Sequence, residues 1–203
     1  NMLSKFNSME NEEMSEIENL EKDLRKLIGE ERYNHSIGVM NAAKKLANIY
    51  GVDENRAMKA GLMHDMAKEF SKDKSLEYIK ANKIETDLYE DKIIFTLHGK
   101  IAADICKKKY NFDDEMCNAI RFHTTSTPNM TLLEKIIYVA DKIDVTRNYK
   151  DVDYYRHLAE KDINQTIIEL LNYNICDCIN KGKIVLSRAL DSRNYLILEK
   201  NLK

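Results

Sequence analysis

Apolar positions recur every three or four residues along almost the whole chain, the period of a helix buried on one side. Ile17, Leu20, Leu24, Leu27 and Ile28 mark a helix near 12–28, and a second runs over 33–50 and stops at Gly51. Asp53 is placed to cap a helix reaching Lys68, and Ser71 one ending near Asn82. The same spacing predicts helices over 98–110, 114–123, 131–145, 152–160 and 163–181, with Gly182 as a stop, and a last helix over 191–201. Pro128 falls in the loop between the helices at 114–123 and 131–145, where a residue without an N–H fits. No stretch alternates as a strand does, so the expected fold is all-α, a single globular helical bundle.

Composition narrows the class. With 34 acidic and 32 basic residues among 203, and 43% hydrophobic, the chain is too apolar and too balanced to stay disordered. Six Gly and one Pro are too few turn-formers for a sandwich or barrel. A net charge of −2, with no basic stripe, argues against nucleic acid as a partner. No run approaches the ~18 apolar residues that span a bilayer, and the polar N-terminal stretch lacks a signal-peptide core. Cys106, Cys117, Cys176 and Cys178 lack zinc-finger spacing and read as reduced thiols, so a cytoplasmic protein without membrane contact is expected. Cys176-x-Cys178 reads as two residues of one helix rather than a redox pair.

The candidate chemistry lies where histidines meet the apolar stripes. Ala57, Ala60, Gly61 and His64 stand at i, i+3, i+4 and i+7, which turns His64 inward, and Asp65 flanks the same face four residues after Gly61. His98 leads the stripe Ile101, Ala102, Ile105. Met116, Ala119 and Ile120 lead to His123, and Leu133 and Ile137 to Asp141. His35 opens the helix whose inner face carries Met40, Ala43 and Ala47. Singly, an inward His is usually a hydrogen-bonded core residue and a helical Asp a solvated rim residue. Together they are harder to house, because a buried unpaired carboxylate costs several kcal/mol and no Lys or Arg shares the stripe beside Asp141. A metal ion compensates imidazoles and carboxylates at once.

Six N/O ligands exceed one tetrahedral site, and the set holds no thiolate, which argues against a structural zinc. Fe, Mn, Zn, Ni and Co all suit it. Asp65, beside His64, is the natural bridge between two ions, and a metal pair roughly 3.5–4 Å apart suits phosphoryl transfer to water. The neighbours agree with phosphate chemistry. Lys68 follows Asp65 by three and His64 by four; Thr124 and Thr125 follow His123; Arg147 lies just past the Asp141 helix, placed to clamp phosphate. Their plain readings are a solvated helix end and ordinary loop polarity. Tyr149, near Tyr154 and Tyr155, reads first as packing and second as an adenine stack, and His157 as surface or packing.

At these residues the chain resembles the HD-domain metal phosphohydrolases, whose pattern is a histidine, a His-Asp doublet and a distant aspartate: here His35, His64-Asp65 and Asp141. The strings RYNHSIGVM at 32–40, GLMHDMAKE at 61–69, TLHGKIAAD at 96–104 and RFHTTSTPNMTLLEKIIYVADKID at 121–144 resemble the bacterial YqeK-type branch, the symmetrical diadenosine-tetraphosphate hydrolases. The resemblance implies an HD-domain helical bundle with a dinuclear metal site between core helices, and two metal ions, with iron ahead of Mn, Ni, Co or Zn. One ion would be bound by His35, His64, Asp65 and Asp141, the other by Asp65, His98 and His123. It implies that a metal-activated bridging hydroxide cuts diadenosine tetraphosphate into two ADP. Asp65, Lys68 and Arg147 would act in catalysis, and His35, Lys68, His98, Thr124, Thr125 and Arg147 would lie against substrate. The expected organisation is a polar segment and flanking helix over 1–28, the HD domain over 29–190 and a C-terminal helix over 191–203 packed on it. A homodimer stays open. So do the alternatives of a nucleoside monophosphate nucleotidase, a guanosine alarmone hydrolase and a non-catalytic helical signalling module. Two positions depart from the pattern: Ser126 stands where Gly is usual, and Val145 where Pro is usual.

Overall fold

The computed structural model describes the backbone of residues 2–201 and the side chains of 13–201. Among these residues the regular structure is helical: α1 (Met2–Arg25), α2 (Glu30–Tyr50), α3 (Glu54–Met63), α4 (Lys72–Ala81), α5 (Leu97–Tyr110), α6 (Asp114–Phe122), α7 (Leu132–Ile143), α8 (Val152–Lys161), α9 (Ile163–Asn180) and α10 (Ser187–Asn201). Two short 3₁₀ turns, Glu90–Lys92 and Ile94–Thr96, lead into α5. No helix among them is long and apolar enough to cross a membrane.

Local chemistry sets most of the boundaries. The Asp53, Ser71, Asp113 and Asp162 side chains accept from the first turns of α3, α4, α6 and α9, and Thr131 with Glu134 closes a capping box on α7. Gly51, at φ 70°, ends α2 in the left-handed conformation that glycine adopts without strain.

Two boundaries differ from the sequence pattern in a way that matters. First, α3 ends at Met63 rather than near Lys68, and residues 64–69 tighten into turns closed by Met66 N–H to Met63 O and Lys68 N–H to Asp65 O. Second, α10 starts at Ser187, ahead of the expected 191, and packs on α9. A smaller correction concerns Leu27, which is exposed because α1 stops two residues before it.

The core is built around α2, α3 and α7, with α5 and α6 packed alongside and α1 against α3. Leu46, Leu62, Met63, Leu97, Ile101, Ile120, Ile136 and Ile137 are fully buried. Two close approaches draw the histidine-bearing segments together. A Cβ on Gly61 would lie 3.2 Å from Met40 Cα, so α3 runs directly against α2. A Cβ on Gly99 would lie 2.9 Å from Ile120 O, so α5 runs directly against α6. Glycine at both positions brings His64 towards His35 and His98 towards His123.

Candidate metal and phosphate site

His35 comes from the second turn of α2, His64 and Asp65 from the turns directly after α3, His98 from the start of α5, His123 from the end of α6 and Asp141 from the last turn of α7. All six are buried and converge on one centre. His35, His64 and Asp141 offer ligand atoms within 4.8 Å of one another, and so do His64, Asp65 and His123.

Asp65 lies between two sets of imidazoles. Its Oδ1 is 2.9 Å from His98 Nε2 and 3.4 Å from His123 Nε2. Its Oδ2 is 3.6 Å from His64 Nε2 and 3.8 Å from His35 Nε2. Asp141 Oδ1 completes the second group at 3.0 Å from His35 Nε2 and 3.6 Å from His64 Nε2. The unwinding after Met63 is what lets consecutive residues, His64 and Asp65, both face this centre. On a continued helix they would diverge by about 100°.

The donor set fits a cation. His64 Nδ1–H donates to Gly61 O at 2.6 Å and His123 Nδ1–H to Ile120 O at 2.6 Å, while His98 Nδ1–H donates to Phe95 O. Carbonyls accept only, so they place the ring proton on Nδ1 and leave Nε2 of all three rings as a lone pair aimed inward. His64 Nε2 and Asp65 Oδ1 are buried without a hydrogen-bond partner. Acceptors facing acceptors in a dry centre repel unless a positive charge lies between them. Burial pushes the His98 imidazole below its usual pKa and His123 down to about 3, so both stay neutral. His35 differs. Burial would lower it, but Asp141 and Asp144 raise it above the ordinary value.

The expectation that Asp141 lacks a compensating cation is corrected. Lys142 Nζ lies 2.8 Å from its Oδ2 and Arg147 Nη2 2.9 Å from its Oδ1. Lys142 is the adjacent residue and Arg147 folds back from the loop after α7, so neither shows in a helical stripe. Burial opposes charge on Asp141, and Lys142 and His35 outweigh it, holding the carboxyl well below the usual carboxylate range.

Asp65, His123 and Asp141 of this centre line a cleft of about 630 Å³. Lys68, Thr124, Thr125, Arg147 and Tyr149 all line it. Lys68 reaches it from the turn after α3, with Nζ 3.3 Å from His98 Nε2, and burial lowers the ammonium pKa. Thr124 Oγ1 is 3.1 Å from His123 Nε2. The Tyr149 hydroxyl donates to Lys142 O at 2.9 Å, a packing role, while its ring walls the cleft with Tyr173. His157 is exposed and Cys176 and Cys178 are free thiols, as the sequence suggested. Ser126 is buried at φ 60°, the left-handed turn that glycine would make more cheaply. Val145 is exposed.

Three residues escaped the sequence reading. Arg32 Nη1 holds Asp65 Oδ2 at 2.9 Å. Lys142 donates to His123 O at 2.6 Å as well as to Asp141. Asp144 Oδ2 sits 3.2 Å from His35 Nδ1, doing for His35 what backbone carbonyls do for the other three. Its only sequence signal is the i, i+3 spacing from Asp141.

Comparisons with known proteins identify the family. The HD domain family matches residues 32–146. A Halalkalibacterium halodurans protein named bis(5'-nucleosyl)-tetraphosphatase, symmetrical, is 38% identical over 173 residues, covering 84% of this chain and 91% of its own length. A Bacillus subtilis protein of the same name is 36% identical over 169 residues, covering 83% of this chain and 90% of itself. A crystal structure from Clostridium acetobutylicum, described as a predicted HD superfamily hydrolase involved in NAD metabolism, matches with a TM-score of 0.87 at 38% identity, over 90% of this chain and 97% of that one.

Proposed function

The chain belongs to the HD-domain hydrolases, in the branch of the symmetrical bis(5'-nucleosyl)-tetraphosphatases, and from that premise we propose that it hydrolyses diadenosine tetraphosphate at the middle of the phosphate chain to give two ADP. The observation that carries the reading is the set of facing acceptors, Nε2 of His64, His98 and His123 with Asp65 Oδ1, at a cation-lined cleft that Asp65, His123 and Asp141 line. We assign His35, His64, Asp65 and Asp141 to one metal ion and Asp65, His98 and His123 to a second, with iron as the metal. Ions held there would acidify a bound water and polarise phosphoryl oxygens.

The protein's own part is placement and charge. Asp65 offers one oxygen to each imidazole group, so one carboxylate fixes the spacing of both. Lys68 and Arg147 line the cleft beside the ligands and would neutralise charge on the phosphate oxygens. Thr124 and Thr125 bring hydroxyls to the same wall. The leaving group, ADP, departs as a stabilised phosphate anion, so a strong general acid is unnecessary. We take 29–190 as the hydrolase unit, flanked by 1–28 and by 191–203, which holds most of α10. The free thiols suit a reducing cytoplasm.

The test is product analysis of iron- and manganese-loaded protein with diadenosine tetraphosphate. ADP as the only nucleotide product is expected. AMP with ATP would overturn the symmetrical cut, and turnover of nucleoside monophosphates alone would replace the reading with a nucleotidase.

A further inference from the structure

The two oxygens of Asp65 differ in their neighbours. Oδ1 faces only imidazoles that carry no proton towards it, whereas Oδ2 accepts from Arg32 Nη1 at 2.9 Å. Arg32 lies in the first turn of α2, three residues before His35, so the same helix face delivers a ligand and a guanidinium to the same centre. Its side chain is 33% exposed and lines the cleft with Lys68 and Arg147.

The two arginines of the cleft are held differently. Arg147 is tied to Asp141 O and Asp141 Oδ1 at 2.9 Å each and to Asp144 Oδ2 at 3.3 Å. Arg32, among the described residues, makes one hydrogen bond, to the oxygen that the neighbouring imidazoles of His64 and His35 also face. A guanidinium carries five N–H donors in a fork that matches phosphate, so Arg32 has donors to spare beside the place a phosphate would occupy. A metal cation drawn to Oδ2 would compete with the guanidinium for the same charge and repel it.

We propose that Arg32 is a phosphate-binding residue of this site, serving as the counter-ion of Asp65 in the metal-free protein and turning to substrate phosphate once metal takes that carboxylate. The proposal rests on the hydrolase reading for the identity of the phosphate. It makes two demands of opposite sign. Removing the guanidinium strengthens metal binding, because a competing cation is gone. It weakens nucleotide binding, because a charge-assisted phosphate contact is gone. A residue that merely braced Asp65 would weaken the first and leave the second alone.

The experiment uses the full chain, Arg32→Met and Arg32→Lys. Calorimetry measures Mn²⁺ binding to chelator-stripped protein, then ADP binding to Mn²⁺-loaded protein, with circular dichroism as a check on the fold. Arg32→Met is expected to bind Mn²⁺ several-fold tighter and ADP about tenfold weaker. Arg32→Lys, which keeps the charge but loses the fork, is expected between wild type and Arg32→Met for ADP. Both shifts are required. Unchanged or weaker Mn²⁺ binding, or ADP affinity equal to wild type, overturns the proposal; should Arg32→Met not fold, ADP affinity of Arg32→Lys equal to wild type does the same. If wild type binds ADP yet releases none from diadenosine tetraphosphate, the hydrolase reading fails while this comparison still stands on binding alone.

Discussion

His98 and His123 point their Nε2 atoms at each other across 3.0 Å, and each has already committed its Nδ1–H to a backbone carbonyl. Two buried lone pairs in that position repel; Lys68 Nζ at 3.3 Å and Thr124 Oγ1 at 3.1 Å offset part of the repulsion, and a bound cation relieves the rest. Metal should therefore stabilise the whole domain. At metal a hundredfold above its dissociation constant, linkage gives about 2.7 kcal/mol. For a chain of this size that is a rise in Tm of roughly 5–10 °C. Differential scanning calorimetry with EDTA and then with excess Mn²⁺ measures it, and identical melting curves would remove the cation from the account of these two rings.

Proton release separates His35 from the His98–His123 pair. His123 is held down to about 3 and His98 is also lowered, so both already lack the proton at pH 6.5. His35 is raised from its ordinary value: burial opposes its charged form, but Asp141 and Asp144 favour it more. A ligand must be neutral, so metal entering beside His35 has to expel that proton. The sign follows: the affinity of this site falls as pH drops below the raised His35 pKa, while the His98–His123 side contributes no loss until pH is far lower. Metal titrations at pH 6.5 in buffers of different ionisation enthalpy should report proton release, and the release should fade as pH rises through the raised His35 pKa. Absence of release at pH 6.5 would mean that His35 is already neutral in the free protein.

Much of this site was legible because helical spacing is rigid. Residues at i, i+3, i+4 and i+7 must share a face, so the apolar runs ahead of His64, His123 and Asp141 predicted inward imidazoles and an inward carboxylate with no knowledge of the packing. Asp65 and Lys68 do not share one helical face with His64, as their spacing of three and four residues suggests. The helix ends at Met63, and tight turns present all three to the centre. What spacing did not reveal were contacts made across the fold by residues with no periodic signature. Arg32 meets Asp65 across 33 positions, and Asp144 meets His35 from the residue that ends α7.

Gly38 offers a test in which intrinsic propensity and site geometry oppose each other. It lies inside α2 with ordinary helical backbone, where alanine should stabilise by about 1 kcal/mol. A Cβ there would sit 2.6 Å from Asp144 Oδ1, however, and Asp144 is the group that orients His35. Gly38→Ala must displace that carboxylate. Unfolding free energy in EDTA is expected to change by no more than about 1 kcal/mol, because the two effects offset. Metal affinity is expected to fall about 10–100-fold, the usual loss when an orienting partner is removed. Paired denaturation and metal titration read the two effects apart, and unaltered metal affinity would mean that Asp144 does not govern His35.

The wall of the cleft that carries Phe95 is fixed by a buried ion pair with no counterpart in the sequence reading. Lys100 on α5 and Glu90 in the first 3₁₀ turn meet at 2.5 Å, with side chains 6% and 1% exposed. Glu90 also accepts from Asp87 N–H at 2.8 Å and from Thr96 Oγ1 at 3.2 Å, so the pair ties the 87–96 segment to α5. Phe95 belongs to that segment, and its carbonyl holds His98 Nδ1. Removing one partner leaves a charge buried without its mate, which costs about 3–5 kcal/mol, whereas replacing both with apolar residues is often near neutral. Lys100→Met should thus be strongly destabilising, and Lys100→Met with Glu90→Met should recover more than half of that loss. A double-mutant cycle by urea denaturation measures the coupling. The double variant also isolates the functional consequence, since a folded chain with a loosened 87–96 segment should bind metal less tightly through His98 while His35 still releases its proton. Strictly additive losses would show that Glu90 is held by its backbone and threonine contacts, and that Lys100 does not set the position of this wall.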